Sequence, residues 1–336
     1  MKYKLVFVFA VMCFVTPRVL TAEKWKHITI QQGLPGDEIQ LLVEDKQGKL
    51  WVGTGSGLAM RKGDGFEVYL KKKRIWDFVQ IGKDHYWVGT RNGIILMGPE
   101  ENKHMFKSHT VAPIVLYKKN IYWAIGKNPR TQRNILAAGT TEGWDPVQAF
   151  EGKKVVDLFR QQNGTLWVAE DGNGIYRVNL DKGAEQAEHH LPGFNVTVVA
   201  EDSSGRLWSG VWGRGVRVYK DGEWATHLAD KETYVFDIKE DAQGHIWVAT
   251  NSSGLWEYDG KKWGNHLREE GQINMLATTS DGRVWISTQM KGGLRYWDGK
   301  KWHFALDNRL PFRCLMETEN GDIWAGSVLG GVFVLE

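Results

Sequence analysis

Residues 44–58 read Glu-Asp-Lys-Gln-Gly-Lys-Leu-Trp-Val-Gly-Thr-Gly-Ser-Gly-Leu, and this stretch decides the fold because its pattern recurs along the chain. A turn of the Asp-x-x-Gly kind is followed by an apolar residue, a tryptophan and a run of small residues. The tryptophan with its apolar and small neighbours occurs eight times, with successive tryptophans 36 to 44 residues apart, and a turn of the Asp-x-x-Gly or Asn-Gly kind precedes six of them. The eight tryptophans are Trp51, Trp87, Trp123, Trp167, Trp208, Trp247, Trp285 and Trp324. Self-similarity at this period is typical of the blades of a β-propeller.

Each copy of the repeat contains segments for four strands. An apolar or alternating strand, such as residues 39–44, precedes the turn, and the tryptophan strand follows it. A glycine and a third strand come next, as in residues 254–258, and then an Asp-Gly turn and a more polar fourth strand, as in residues 298–302. Asp, Asn and Gly suit tight turns. The sequence therefore predicts one all-β domain over residues 23–336, an eight-bladed β-propeller with four antiparallel strands in each blade.

The two ends of the chain predict how the ring closes. The last copy reaches only its third strand, near Val332, whereas residues 24–29 match the fourth-strand pattern of Lys262-Trp263 and Lys301-Trp302. We expect the N-terminal strand to complete the last blade, since closure removes an open sheet edge. The third copy lacks a glycine-rich turn and has a longer segment over residues 127–144. A seven-bladed ring with an extra hairpin therefore remains an alternative.

The first 22 residues have the features of a secretory signal peptide. Lys2 and Lys4 precede an apolar stretch over residues 5–15, which is too short to span a bilayer comfortably, and cleavage after Ala22 is expected. The sequence thus predicts a periplasmic or secreted protein without a transmembrane segment in its mature chain. A retained N-terminal anchor is the alternative.

Charge and cysteine content exclude several classes of function. The chain has 43 Lys and Arg against 40 Asp and Glu, and the three surplus cations, Lys2, Lys4 and Arg18, all fall in the predicted signal. A balanced mature chain argues against nucleic acid or an anionic membrane as a partner. The two cysteines are Cys13 and Cys314, so a disulfide within the mature chain and a cysteine-based metal site are excluded. We predict a buried thiol at Cys314, and neither a metal nor a cofactor.

The repeat resembles the two-component regulator propeller family. The similarity lies in Leu34-Pro35, in residues 44–58, in Gly205-Arg206-Leu207-Trp208 and in residues 244–255, and it covers essentially the whole of residues 23–336. In that family such repeats form the periplasmic sensor part of membrane histidine kinases. The resemblance implies a sensor module whose signal would pass to a partner, since no kinase core follows the propeller in this sequence. Streptogramin lyases have related blades, so the resemblance also leaves an enzyme open.

Candidate ligand-binding residues are expected in the loops that enter each first strand and in those between the second and third strands. Trp212 lies outside the repeated tryptophan pattern, and with Arg214 it offers an aromatic face and a guanidinium for a sugar, an aromatic ring or a carboxylate. Packing of Trp212 between blades is the alternative. The same kinds of loop supply the other candidates, Arg91, Glu170, Asp171, Tyr234, Gln289 and Arg313.

The sequence offers no residue set that specifies catalysis. Glu170 and Asp171 form the one pair of carboxylates considered for acid–base chemistry, but adjacent residues on a strand point to opposite faces. His189-His190 is interpreted as a solvated loop rather than a metal site, and residues 71–74 as a solvated basic loop that is a candidate for an acidic partner.

Three functions follow, in order of preference. The first is an exported binding or sensing module for a small molecule or a glycan, acting with a membrane histidine kinase or another envelope protein. The second is a propeller enzyme, a lyase or hydrolase. The third is a scaffold that binds other envelope proteins.

Overall fold

The computed structural model describes residues 25–107, 109–118, 120–128, 131, 134–179, 183–229, 234–289, 292–307 and 309–336. The predicted signal peptide, residues 1–22, lies outside these residues. The described residues form eight four-stranded antiparallel sheets, each a blade with its first strand innermost.

Blades 1 to 4 contain β2 (Ile39–Glu44), β3 (Leu50–Thr54), β4 (Gly57–Lys62) and β5 (Gly65–Lys71); β6 (Ile75–Gly82), β7 (His85–Thr90), β8 (Gly93–Met97) and β9 (Lys103–Met105); β10 (Thr110–Lys118), β11 (Ile121–Lys127), β12 (Asn134–Gly139) and β13 (Trp144–Pro146); and β14 (Val155–Arg160), β15 (Leu166–Glu170), β16 (Gly174–Val178) and β17 (Glu188–His190).

Blades 5 to 8 contain β18 (Val196–Glu201), β19 (Leu207–Val211), β20 (Val216–Lys220) and β21 (Glu223–His227); β22 (Val235–Glu240), β23 (Ile246–Thr250), β24 (Leu255–Tyr258) and β25 (Trp263–His266); β26 (Ile273–Thr278), β27 (Val284–Thr288), β28 (Leu294–Trp297) and β29 (Trp302–Leu306); and β30 (Phe312–Glu317), β31 (Ile323–Ser327), β32 (Val332–Leu335) and β1 (Lys26–Ile28). Short 3₁₀ helices cover Ile30–Gln32, Gln148–Phe150, Ala184–Gln186 and Arg268–Glu270.

Ring closure by the N-terminal strand is confirmed. Strand β1 pairs antiparallel with β32, and Lys26 lies opposite Val334. Trp25, just before β1, donates its indole N–H to the carbonyl oxygen of Ala305 in blade 7 at 3.0 Å, which ties the closing strand to the neighbouring blade. The third copy forms a complete blade, because the ambiguous segment contains strand β12. The eight-bladed prediction is therefore confirmed and the seven-bladed alternative is wrong.

The eight repeated tryptophans form one buried layer, which we call the tryptophan belt. Each has at most 2% of its surface exposed. In blade 6 the Asp241 carboxylate accepts the indole N–H of Trp247 at 2.7 Å, and its other oxygen accepts two turn N–H groups at 2.9 Å. Asp45 and Asp202 serve the tryptophans of blades 1 and 5 in the same way. The Asp of the repeat thus folds its turn and also satisfies a buried donor, which would otherwise be costly.

Small residues two positions after the tryptophan let neighbouring blades approach. A Cβ atom on Gly210 would lie 2.6 Å from Cβ of Val235 in blade 6, and one on Gly53 would lie 3.0 Å from Cγ2 of Ile75 in blade 2. At Gly210 and Gly53 a larger residue would therefore collide with the first strand of the next blade.

The blades are also joined on the face opposite the site described below. Glu240, at the end of β22, accepts hydrogen bonds from the backbone N–H and the hydroxyl of Ser203 in blade 5, at 2.6 and 2.7 Å. Glu317 makes the same two bonds to Ser280 in blade 7. Charge-assisted bonds of this kind fix the register of one blade on the next.

Two other sequence interpretations are tested by the fold. The interpretation of His189-His190 as a solvated loop is wrong, because both residues lie in strand β17. The His189 ring stacks on Tyr176 with 4.4 Å between ring centroids, and His190 accepts the indole N–H of Trp224 at 3.3 Å.

The second interpretation concerns Cys314. Burial raises the pKa of its thiol to about 12, which makes the thiol an inert group at neutral pH. Among the described residues, no helix has the length and apolar character needed to cross a membrane.

Candidate functional site

The site is built on one end of the eight innermost strands. The first strands of adjacent blades contact one another around the central axis of the ring. The loops that enter these strands lie at the same end as the loops between second and third strands, since Ile39 is paired with Thr54 at that end of blade 1. We call this end the entry face.

Every innermost strand has a register shift directly after its first buried residue, near the entry face. A β-bulge adds one unpaired residue and re-aims its side chain. The bulged positions, which we call the channel-mouth ring, are Gln40, Trp76, Ala112, Val156, Thr197, Phe236, Asn274 and Arg313.

The bulge turns side chains out of the core. Trp76 is 38% exposed, Val156 38% and Phe236 39%, whereas the residue before each of them is almost completely buried. Ring members also reach one another between blades, because the guanidinium of Arg313 donates a hydrogen bond to the amide oxygen of Gln40.

The ring has two chemically different sides. Asn274, Arg313 and Gln40 lie on the consecutive blades 7, 8 and 1 and are polar or charged. Trp76, Ala112 and Val156 on blades 2 to 4 and Phe236 on blade 6 are apolar, and Thr197 on blade 5 is the one polar member among them. A ligand at the mouth would therefore meet hydrogen-bonding groups on one side and apolar surface on the other.

Two adjoining cavities open on the entry face beside blades 2 to 4, and together we call them the entry-face cleft. The first, of about 550 Å³, is lined by Gly55, Lys72, Lys73, Arg74, Thr90, Arg91 and Asn92. The second, of about 530 Å³, is lined by Trp76, Arg91, Thr110, Ala112, Ile125, Lys127, Asn134 and Val156. Arg91 is common to both. Volumes of this size are typical of sites for small ligands.

A charged group positions one wall of the cleft. The Glu38 carboxylate accepts a hydrogen bond from the Arg74 guanidinium at 2.6 Å, and its other oxygen lies 3.9 Å from Arg313. Arg74 in turn lies over the Trp76 ring, with 5.4 Å between the guanidinium carbon and the ring centroid. Glu38 therefore links the polar side of the channel-mouth ring to the cleft.

Two of the predicted candidates lie at these features. Arg91 lines both cavities, and Arg313 belongs to the channel-mouth ring. The basic segment interpreted as a solvated loop supplies Lys72, Lys73 and Arg74 to the wall of the first cavity.

The side chains of Trp212 and Arg214 contact different parts of the molecule. Trp212 is 58% exposed and packs edge-on against Tyr234 at 5.8 Å between ring centroids, and Tyr234 packs on Phe236 of the mouth ring at 4.9 Å. Arg214 lies instead over the ring of Phe194 at 5.0 Å. Trp212 and Tyr234 thus continue the apolar side of the mouth outward, while Arg214 belongs to a separate contact.

The remaining candidates are separate from the cleft. Glu170 accepts hydrogen bonds from Tyr176 at 2.7 Å and Asn173 at 2.9 Å, whereas Asp171 pairs with Lys154. The two carboxylates therefore have different partners. Gln289 is exposed on the entry face of blade 7, where its backbone N–H bonds to Gln272.

Sequence reasoning did not single out Trp76 or Glu38, and it considered Arg74 only as part of the basic loop 71–74. Their signal is positional: Trp76 directly follows the first buried residue of an innermost strand, where each repeat carries a different residue type. Comparison of that position among the eight copies singles out the ring.

Three aspartates occupy the position after the bulge in alternate blades: Asp77, Asp157 and Asp237. Each accepts a hydrogen bond from the next backbone N–H at 2.8 or 2.9 Å. Burial raises the pKa of all three carboxyls, that of Asp157 to about 6. Lys239, 3.0 Å from Asp237, opposes that rise, and Asp77 also accepts the N–H of Ile114 in the next blade. Among the described residues no group of side chains is arranged to hold a metal ion.

Solved structures of similar fold include three informative proteins. The extracellular domain of a hybrid two component system, BT3049, from B. thetaiotaomicron is 18% identical with a TM-score of 0.60, and the match covers 94% of this chain and 42% of that one. Virginiamycin B lyase from Staphylococcus aureus, in an inactive form with quinupristin, is 11% identical over 93% of this chain and 98% of its own, with a TM-score of 0.59. YCF48 bound to D1 peptide is 16% identical over 78% and 92%, with a TM-score of 0.55.

At these identities the structural likeness shows the fold alone. The chain spans less than half the length of the BT3049 domain it matches. No curated protein sequence matches it significantly.

A family model provides the sequence evidence. The two component regulator propeller repeat matches residues 33–56 and 230–252. The first segment covers most of the stretch that decided the fold, including Trp51, and the second includes Trp247. The resemblance seen in the sequence is thereby confirmed in these two segments of the eight-bladed propeller.

Proposed function

We propose that the protein is an exported recognition module that binds a small molecule or a glycan in the entry-face cleft. The observation that carries the proposal is the convergence of two cavities on Arg91, beside a half-exposed tryptophan of the channel-mouth ring. Concave sites with an apolar wall and a few placed polar groups are the usual form of ligand sites.

Binding rather than catalysis is proposed because Glu170 and Asp171, the pair considered for acid–base chemistry, have separate partners outside the cleft. Acid–base catalysis by this pair in the cleft would need the carboxylates within hydrogen-bond reach of a substrate bound there.

The test is a thermal-shift screen of the purified protein against glycans, peptides and small acids, followed by calorimetry on each hit. We expect Trp76→Ala to weaken binding at least tenfold, because the ligand loses its apolar wall. Trp212→Ala, three blades away, is the matched variant and should bind normally. If a ligand binds and loses affinity in Trp212→Ala instead, the site lies at the aromatic strip of blades 5 and 6; if no ligand in the screen stabilises the protein, small-molecule binding is refuted.

The sensing role rests on the family resemblance. We propose that the mature chain begins at Glu23 in the periplasm or outside the cell, and that a membrane histidine kinase or another envelope protein receives its signal. The intact mass of the protein recovered from the periplasm or medium tests export. Kinase autophosphorylation that does not change when the liganded protein is added would argue against that partner.

A further inference from the structure

The entry-face cleft has a marked excess of positive charge. Its described lining contains five cationic side chains and no carboxylate: Lys72, Lys73, Arg74, Arg91 and Lys127. Over residues 23–336, by contrast, acidic and basic residues are equal in number. The excess is therefore local, and it concentrates in one concave surface.

One of these cations, Lys73, also acts on a nearby histidine. His104, on strand β9 of blade 2, has a lowered pKa, first because it is partly buried and then because the positive charges of Lys73 and of Lys107, which lies outside the cleft lining, disfavour its protonated form. Glu38 offsets part of the charge, but its carboxylate is already bonded to Arg74 and to the Gln40 amide.

Arg91 differs from Arg74 in its freedom to bind. Its backbone is held on both sides, since its N–H bonds to the Arg74 carbonyl at 3.3 Å and its carbonyl accepts the Thr110 hydroxyl at 3.3 Å. Its exposed guanidinium has no carboxylate partner within the described part of the chain. A fixed loop that presents an unpaired guanidinium is suited to bidentate recognition of an oxyanion.

The second cavity adds a flat apolar wall. Trp76 and Val156 are both partly exposed there, and the Arg74 guanidinium lies over the Trp76 ring. A saccharide ring presents C–H groups and an aromatic ring presents a face, and either packs on an indole.

Building on the proposed function, we propose that the ligand is a ring-bearing anion. Its carboxylate or sulfate group binds Arg91 and Lys73, and its saccharide or aromatic ring packs on Trp76.

Calorimetry with matched pairs of probes tests this inference. The first pair is trigalacturonate and its methyl ester, and the second is N-acetylglucosamine 6-sulfate and N-acetylglucosamine. We expect an acid to bind at least tenfold more tightly than its neutral counterpart. Raising the salt concentration from about 0.05 to about 0.5 M shortens the Debye length from above roughly 10 Å to below roughly 5 Å. This change should weaken binding of the acid and leave binding of its neutral counterpart unchanged.

Variants locate the effect. Arg91→Gln should lower acid affinity at least tenfold and leave binding of a neutral probe unchanged. Arg268→Gln is the control, since Arg268 is an exposed arginine on the entry loop of blade 7, outside both cavities. Melting temperatures confirm that both variants fold.

The outcomes separate the two proposals. If acid and neutral probes bind equally, or if Arg91→Gln leaves acid binding intact, the ligand is not an anion recognised by Arg91. The proposal that the entry-face cleft binds a ligand would then still hold. Failure of all four probes overturns this inference; the recognition function then stands only if the wider screen yields a ligand sensitive to Trp76→Ala.

Discussion

The tryptophan belt and the channel-mouth ring are each one position repeated eight times, yet they use residues in opposite ways. The belt has tryptophan in every blade, and each is buried. The ring has eight different residue types in eight blades, from Ala112 to Arg313, and is largely open to solvent. Packing between blades fixes the belt, because interiors tolerate little change in volume. A bulged residue at the mouth is released from that constraint, so its identity is available for function.

Truncating one tryptophan in each region should separate structure from function most clearly. Trp247→Ala removes a fully buried ring and leaves Asp241 without its indole donor, so we expect a loss of about 3–5 kcal/mol in unfolding free energy. Trp76→Ala removes a partly exposed ring and should cost less than about 1 kcal/mol. Urea denaturation measures both. Similar losses for the two variants would show that the mouth is part of the core.

The belt was predictable and the ring was not, for a physical reason. The repeat aligns by its tryptophans and turn residues, whose types are dictated by burial and by backbone geometry. The bulge that exposes Trp76 adds a single unpaired residue, and the spacing of apolar residues in 75–79 does not reveal it. Of the predicted basic loop over residues 71–74, Lys71 ends strand β5 and residues 72–74 form the loop. The contribution of these residues to a cavity depends on Arg91, which is distant along the sequence and adjacent only in the folded protein.

Trp212 and Arg214, only two residues apart, also show what sequence spacing does not predict. Their spacing suggested one binding surface, but Gly213 lies between them with φ of +66° and Gly215 follows with φ of +72°. In this left-handed backbone the two side chains diverge, Trp212 toward Tyr234 and Arg214 toward Phe194. The directions of the side chains on either side of Gly213 depend on backbone angles that the sequence pattern does not specify.

Asp157, which follows the channel-mouth ring position of blade 4, should make the stability of the protein depend on pH. Burial raises the pKa of Asp157 to about 6 in the folded protein, above the ordinary 3.8 expected on unfolding. The folded state therefore holds this proton more tightly, and stability falls as pH rises from about 4 to above 6. Asp157→Asn keeps the acceptor for Leu158 N–H without a charge. It should stabilise the protein by about 1–2 kcal/mol at pH 8 and have little effect near pH 4.

Asp259→Asn is the control of opposite sign. Hydrogen bonds from the N–H groups of Lys262 and Lys261 lower the pKa of this turn carboxylate, so its charge favours the folded state above the ordinary pKa. Its removal should not stabilise the protein at pH 8. Denaturation of both variants over pH 4–8 measures the difference, and a pH-independent gain for Asp157→Asn would mean that the carboxyl is not perturbed in the channel.

The smallest expected effect lies inside the belt, where the indole N–H groups of Trp87 in blade 2 and Trp324 in blade 8 are buried without a hydrogen-bond partner among the described residues. Trp324 is completely buried, and among the described residues its indole N–H has no hydrogen-bond partner. Blade 8 has Thr318 where blade 6 has Asp241, and the Thr318 hydroxyl accepts the N–H of Asp322 at 3.1 Å. Thr318→Asp should supply the missing acceptor and stabilise the protein by about 1 kcal/mol.

Thr279→Asp in blade 7 is the matched variant, because Thr279 already accepts the indole N–H of Trp285 at 3.1 Å. It should gain less than Thr318→Asp, as measured by urea denaturation at pH 7. A larger gain at Thr279 would mean that the added charge, rather than the satisfied indole, sets the effect. In that case the uniformity of the belt would reflect packing volume alone, and its Asp–Trp hydrogen bonds would be secondary.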